Sequence, residues 1–170
     1  MDNPLYKHYL RPKGKGIKLH LGCGDYWFEG YVNIDHYVLG GTDMIWDLTK
    51  GIPYQPDVVE IIEAYELLEH FNRDEAFNFL EECKRVLIPG GKIKISVPDF
   101  DGLVDKYPTD KEETIKMVYG FADTPGHKEG YTLEKLKQKF EEHGFQNVVV
   151  TKGHLPERPN EPQLLLEAEK

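Results

Sequence analysis

Four short stretches of this 170-residue chain hold residues whose types and spacing can do chemistry. They are the turn Gly22-Cys23-Gly24, the aspartate Asp35 that ends VNID, the aspartate Asp47 in WDLTKGIPY, and ELLEH at residues 66–70. An apolar strand running into a glycine turn, then a second strand ending in a carboxylate, is how a nucleotide-binding unit begins. The spacing departs from the dinucleotide pattern. Only ten residues lie between Gly24 and Asp35, whereas a dinucleotide fold places its acidic residue about 20 residues on. A pyrophosphate also needs a helix N-terminus and a third glycine, and the position for that glycine holds Trp27. The stretch Asp25 to Glu29 has room for one helical turn at most, with Tyr26, Trp27 and Phe28 expected to fill the space as core and Trp27 to reach the site.

These residues need a scaffold, and its period is readable. Short apolar strands alternate with amphipathic helices, the pattern of an α/β domain with a mostly parallel sheet. Seven strands are expected: Ile17 to Leu21, Tyr31 to Asp35, about Asp43 to Trp46, Val58 to Ala64, Lys92 to Val97, Gln146 to Thr151 and Gln163 to Ala168. A helix is expected from Arg73 to Leu87, capped by Asn72 with Glu75, its apolar face made by Ala76, Phe77, Leu80, Cys83 and Leu87. Phe100, Leu103, Val104 and Tyr107 lie at helical spacing before Pro108. Thr109 and Glu112 read as a capping box for a short helix ending near Gly120, and residues 121–131 as a loop. Thr132 and Gly144 bracket a last helix from Leu133 to His143. The final two strands are joined by a Pro-rich connection without a helix, so they should be antiparallel neighbours. The chain reads as one domain over 1–170, with 1–16 as an N-terminal arm.

All four chemical stretches fall at the carboxyl ends of strands, where open α/β sheets bind their ligands. In this order and spacing, LGCG, LLEH and LIPGG resemble the class I S-adenosylmethionine-dependent methyltransferases, in particular the small methyltransferase type 11 group. The matching text is LHLGCG, VNID, WDLTKGIPY, ELLEHF and RVLIPGGKIKISVPDF, about residues 17 to 100, with a weaker echo in HKEGYTLEKLKQKFEEHGF at 127 to 145. The resemblance implies a Rossmann-like three-layer sandwich, a mostly parallel seven-stranded sheet with an antiparallel C-terminal strand. It also implies S-adenosylmethionine as cofactor, with S-adenosylhomocysteine as product. The cofactor contacts it implies are Leu21, Gly22, Cys23, Gly24, Asp35, His36, Asp47, Leu48, Ala64, Tyr65 and Glu66.

The residue types suit those roles. A strand-end carboxylate such as Asp35 can accept from both ribose hydroxyls, and Asp47 from the adenine amine, with Leu48 against the ring. Glycines let the backbone approach the ligand closely. Ala64, Tyr65 and Glu66 would line the sulfonium side, where carboxylate or aromatic density holds a cation. Structural alternatives stand beside these roles: Gly22 and Gly24 as a plain tight turn, and Asp47 as the N-cap of a turn at Leu48-Thr49. LIPGG reads as a fold element.

Methyl transfer is an in-line displacement in which alignment of the acceptor is the main task, and a base is needed only for a nucleophile that holds its proton. Candidates at the rim are His127, Asp99 and His70. For His127 the alternative is an exposed loop histidine, for Asp99 a helix cap before Phe100, and for His70 a structural role. No metal site is expected. The stretch EAYELLEH lacks the Asn/Asp-Pro-Pro-aromatic motif with which the family grips planar amines, so a small-molecule, sugar or lipid-precursor acceptor is expected. Two other functions share these features: a cofactor-binding regulator without transfer, and a nicotinamide-dependent oxidoreductase.

A net charge of −9 argues against a nucleic-acid partner, because phosphate binding needs a basic face. The one basic run, Arg11, Lys13, Lys15 and Lys18, reads as a solvated arm. Two cysteines, Cys23 and Cys83, read as free thiols of a reducing compartment rather than a bridge. No apolar run approaches a membrane span and no signal-peptide core is present, so a cytoplasmic monomer or homodimer is expected.

Overall fold

The computed structural model describes residues 16–107, 109, 112, 115–116 and 126–170. Arg11, Lys13 and Lys15 of the expected arm, most of the expected Thr109-to-Gly120 helix, and loop residues 121–125 lie outside them. The strands are β1 (Ile17–Leu21), β2 (Val32–Asp35), β3 (Met44–Ile45), β4 (Val59–Tyr65), β5 (Leu87–Pro98), β6 (Gln146–Leu155) and β7 (Arg158–Glu169). They form one seven-stranded sheet in the order β3-β2-β1-β4-β5-β7-β6. All ladders are parallel except those that β7 makes with β5 and β6. This is the Rossmann-like arrangement expected from the sequence, with helices packed around the sheet. The strand order reverses between β1 and β4, which creates a crevice at their carboxyl ends.

Alternation along the strands divides the sheet into two faces. Leu19, Leu21, Ile34, Ile62, Ala64, Ile93, Ile95, Leu164 and Leu166 are buried together in one apolar cluster. Helix α1 (Arg73–Val86) adds Ala76, Phe79, Leu80, Cys83 and Val86 to it. Its start is fixed by a capping box: Asn72 Oδ1 accepts from the amides of Asp74 and Glu75, and Glu75 Oε2 accepts from Asn72 N. Phe79 takes the buried place expected of Phe77, because the helical period carries 76, 79, 80, 83 and 86 round one face. Phe77 is 53% exposed and packs on His143. Helix α2 (Phe100–Lys106) buries only Leu103. Helix α3 (Leu133–Glu142) is capped by Thr132, buries Leu136 and Phe140, and is followed by Gly144 at φ +72°.

The C-terminal hairpin differs from expectation. β6 and β7 are paired up to Leu155 opposite Arg158, so most of the Pro-rich stretch expected as a connection is ladder, closed at Pro156-Glu157. Pro159 and Pro162 are tolerated because the β5 ladder begins only at Gln163, leaving them beyond that neighbour. β5 likewise starts earlier than Lys92, since Gly90 N donates to the Lys170 carbonyl and Lys170 N to the Gly91 carbonyl.

The β1–β2 crossover contains no helix. Phe28 fills the space, stacked on His20 with ring centroids 4.0 Å apart. Asn33 braces the crossover: its Oδ1 accepts from Phe28 N (3.0 Å), and its Nδ2 donates to Phe28 O (3.2 Å) and to Asp43 Oδ2 (2.7 Å). His20 Nδ1 is 3.1 Å from the same Oδ1, and burial pushes this histidine below its ordinary value. Closing the loop at Phe28 leaves Tyr26 and Trp27 pointing outward, 54% and 57% exposed. The expectation that all three aromatics are core is corrected: Phe28 is half-buried against His20 and Tyr65 outside the core cluster, and Tyr26 and Trp27 are exposed.

No helix among the described residues is long and apolar enough to cross a membrane. Both cysteines are free and buried. Burial pushes the Cys23 thiol up to about 11 and the Cys83 thiol well above its ordinary value, which leaves little thiolate near pH 8. Both thiols should therefore resist a disulfide reagent such as DTNB in the native protein and titrate fully in denaturant. Rapid native reaction of either would contradict its packing.

Candidate active site

A cavity of about 780 Å³ opens along the carboxyl ends of β1 to β5, a size suited to a small ligand or cofactor. One end is built from Gly22 and Gly24 after β1, Asp35 and His36 after β2, and Asp47 and Leu48 after β3. The other holds Glu66, Leu67 and His70 after β4, together with His127, Arg158 and Gln163.

Gly22 and Gly24 both have left-handed backbone, φ +68° and +54°. At Gly22 a Cβ would lie 2.8 Å from Leu67 Cδ1, so the turn is packed closed there. At Gly24 nothing lies within 4 Å of where a Cβ would sit, so a side chain would enter open cavity. Asp35 locks this turn to the end of β2, its Oδ2 accepting from Gly24 N at 2.9 Å and its Oδ1 from Tyr37 N at 3.0 Å. Each oxygen keeps a second lone pair for a ligand hydroxyl.

Asp47 lines the cavity and also caps the short 3₁₀ turn Leu48–Lys50. Its Oδ1 accepts from Thr49 N (3.1 Å) and Thr49 Oγ1 (2.6 Å), and Oδ2 lies 3.1 Å from Lys50 Nζ. Thr49 and Lys50 hold its carboxyl below the ordinary value. The capping role is real, and it orients the carboxylate without removing it from the cavity.

Several expected contacts lie elsewhere. Leu21 and Ala64 are fully buried in the core, their side chains on the helix-packed face. Cys23 and Tyr65 line an adjoining groove of about 520 Å³ that includes His20, Phe28 and Glu63 and shares Gly22, Gly24, Glu66 and Arg158 with the larger cavity. The Cys23 thiol is 3.6 Å from the Gly41 carbonyl, and Tyr65 donates to Glu63 at 2.6 Å. Trp27 lines neither cavity. Asp99 is set back from the cavity and makes no side-chain cap. It is 1% exposed, lies outside the cavity lining, makes no cap bond to α2, and places Oδ2 3.0 Å from Lys152 Nζ. The chain turns inward there because Asp99 N donates to the Pro162 carbonyl and Phe100 N to the Tyr131 carbonyl. His70 and His127, by contrast, meet in the cavity with ring centroids 4.9 Å apart.

Glu66 has left-handed backbone at φ 54°, a conformation that non-glycine residues hold mainly where the surroundings enforce it. Here its amide donates to the Ser96 carbonyl at 3.1 Å, and its carboxylate faces Arg158 Nη1 at 3.3 Å and the Gln163 amide. Burial pushes the Glu66 carboxyl up to about 7, against the opposing pull of Arg158. Arg158 and Gln163 are not singled out in the sequence, because Arg158 falls in the expected Pro-rich connection and Gln163 only opens the expected last strand. Glu69 lies in a stretch that drew attention but was not itself picked out. Its side chain is 1% exposed, and burial holds its carboxyl well above the ordinary range.

No family model matches the chain. In three dimensions it is similar to S-adenosylmethionine-dependent methyltransferases of Archaeoglobus fulgidus (TM-score 0.65, 16% identity, covering 93% of this chain and 87% of that one), Methanosarcina mazei (0.61, 14%, 99% and 97%) and Mesorhizobium loti (0.60, 16%, 95% and 94%). The fold is that of the class I S-adenosylmethionine-dependent methyltransferases. In sequence the chain is 30% identical over 156 residues to an uncharacterized protein of Methanocaldococcus jannaschii, the match covering 82% of this chain and 68% of that protein. The chain belongs to the same family as that archaeal protein.

Two predictions follow from this geometry. Gly22→Ala should lower stability by about 1–2 kcal/mol for its left-handed backbone, and by more than Gly24→Ala, because only Gly22 also meets Leu67. Equal losses in urea unfolding would contradict the packed turn. For Glu66 the folded value of about 7 exceeds the ordinary 4.5, so ionising it opposes folding as pH rises between the two. Glu69 acts in the same direction. Glu66→Gln should therefore show a shallower fall in stability from pH 5 to 7, and an unchanged slope would place the titration elsewhere.

Proposed function

We propose that the protein transfers a methyl group from S-adenosylmethionine to a small-molecule, sugar or lipid-precursor acceptor by in-line displacement. The observation that carries this reading is the convergence of Gly24, Asp35, Asp47 and Glu66 on one cavity at the switch point of this fold. S-adenosylmethionine, when bound, supplies an activated methyl group on a sulfonium leaving group.

The residues present fit it. Asp35, oriented by two amides, accepts from a vicinal diol, and Asp47, oriented by Thr49, accepts from an exocyclic amine. Leu48 offers an apolar surface beside it. Open space at Gly24 admits a ligand where any side chain would block it. Glu66 provides negative charge on the sulfonium side. His70 and His127 line the same end as Glu66, away from Asp35 and Asp47, where an acceptor would be held and aligned. A nicotinamide dinucleotide lacks its anchor, because the crossover has no helix N-terminus for a pyrophosphate.

Thermal unfolding tests the assignment. S-adenosylhomocysteine at about 100 times its Kd should stabilise by about 2.7 kcal/mol, a Tm rise of roughly 5–10 °C for a chain of this size, whereas NAD(H) should not. Asp35→Ala should abolish the shift. Stabilisation by NAD(H) alone, or full S-adenosylhomocysteine binding by the variant, would overturn the reading.

A further inference from the structure

We infer that Glu69, His70 and His127 form a binding site for a divalent transition-metal ion at the acceptor end of the cavity, with coordination positions open to an oxygen-donor ligand. One potential ligand atom from each residue lies within 4.8 Å of the other two. Ligands about 2.0–2.2 Å from a zinc-like ion are roughly 3–3.5 Å from one another, so modest side-chain rotation closes the set.

The chain builds this cluster deliberately. Glu69 and His70 are consecutive in the 3₁₀ turn Leu68–His70. His127 comes from far along the sequence and is pinned there because Lys128 N (2.7 Å) and Glu129 N (3.2 Å) both donate to the Glu69 carbonyl. The main chain of Glu69 thus holds the loop that carries the third ligand, while its side chain offers the carboxylate.

That carboxylate is the second, independent observation. Its side chain is almost fully buried, and neither oxygen has a hydrogen-bond donor among the described residues. Its recorded charged neighbour is His127 Nε2, 3.9 Å from Oε1. The basic groups nearby are engaged elsewhere: Lys128 with Glu75 at 2.9 Å, and Arg158 with Glu66 and Glu161 at 3.3 and 3.2 Å. A buried carboxylate is stable when it is paired, hydrogen-bonded or bound to a metal, and protonation alone would still leave its oxygens without donors. A cation answers all of these demands at once.

Two imidazoles and one carboxylate favour Zn²⁺, Fe²⁺, Co²⁺ or Mn²⁺ over Mg²⁺ and Ca²⁺, which prefer oxygen-only shells. Three protein ligands leave at least one position free. His70 and His127 line the large cavity, so that position faces the ligand space and suits a hydroxyl or carboxylate oxygen. The identification of that oxygen donor as the methyl acceptor rests on the methyl-transfer reading, but the ion site itself does not.

Chelator-treated protein titrated with Co²⁺, without S-adenosylmethionine, provides the test. One equivalent should bind, with visible d–d absorption that Zn²⁺ displaces. Loss even of an outer-shell partner weakens metal sites about 10–100-fold, so His127→Ala and Glu69→Gln should each lose at least about tenfold in affinity while keeping the native circular dichroism. Both variants should retain stabilisation by S-adenosylhomocysteine, which separates this site from the cofactor assignment. Absence of saturable Co²⁺ and Zn²⁺ binding by the native chain overturns the proposal, and so does unchanged affinity in the folded His127→Ala protein.

Discussion

The bond from Gly24 N to the Asp35 carboxylate, 2.9 Å long, is the constraint on which the rest of the cavity depends. In longer crossovers a helix spaces the β1 turn from the end of β2. Here no helix is present, and the spacing is set by side chains instead. Asp35 ties the outer rim together, while Asn33, two residues earlier in β2, ties the inner part of the same loop through Phe28 and Asp43. Residues two apart in a strand share a face, so one short segment of β2 holds the crossover at two points along it.

The cavity that results has two chemically different ends. Asp35 and Asp47 are exposed enough to meet a ligand and are oriented by neighbouring amides and hydroxyls. Glu69 is buried and Glu66 largely so, and desolvation raises both carboxyls. The left-handed backbone at Glu66 turns the chain sharply after β4 and sets the carboxylate between Arg158 and Gln163. Charge that is costly to bury is therefore gathered at the end where an acceptor, and the inferred cation, would be held. Unusual backbone and buried charge occur together there, and both persist only where the surroundings enforce them.

Much of this was legible in the sequence, and for definite reasons. Periodicity and caps placed the strands and helices, because Asn72 with Glu75 and Thr132 with Gly144 act locally. Positive-φ glycines and strand-end aspartates placed one end of the cavity, because backbone geometry forces those residue types. The misreadings arose where tertiary contacts decide. Phe77 and Phe79 are nearly interchangeable in a sequence pattern, and only the helix's docking angle separates them. The prolines at 159 and 162 look like a loop until the end of β5 leaves room for them in a strand. Asp99 faces inward because Pro162 and Tyr131, both distant in sequence, hold its main chain. Arg158, Gln163 and the meeting of Glu69 with His127 depend on segments that are brought together only by the folded sheet.

The methyl-transfer reading requires that the cavity at the β1–β4 switch point hold the cofactor through Asp35. A crystal structure of the protein with S-adenosylhomocysteine tests it most directly. The ribose hydroxyls should lie on Asp35, the adenine beside Asp47 and Leu48, and the sulfur towards the end that holds Glu66, His70 and His127. Density for the ligand in the smaller groove over His20, Phe28 and Tyr65, or a ribose away from Asp35, would contradict it.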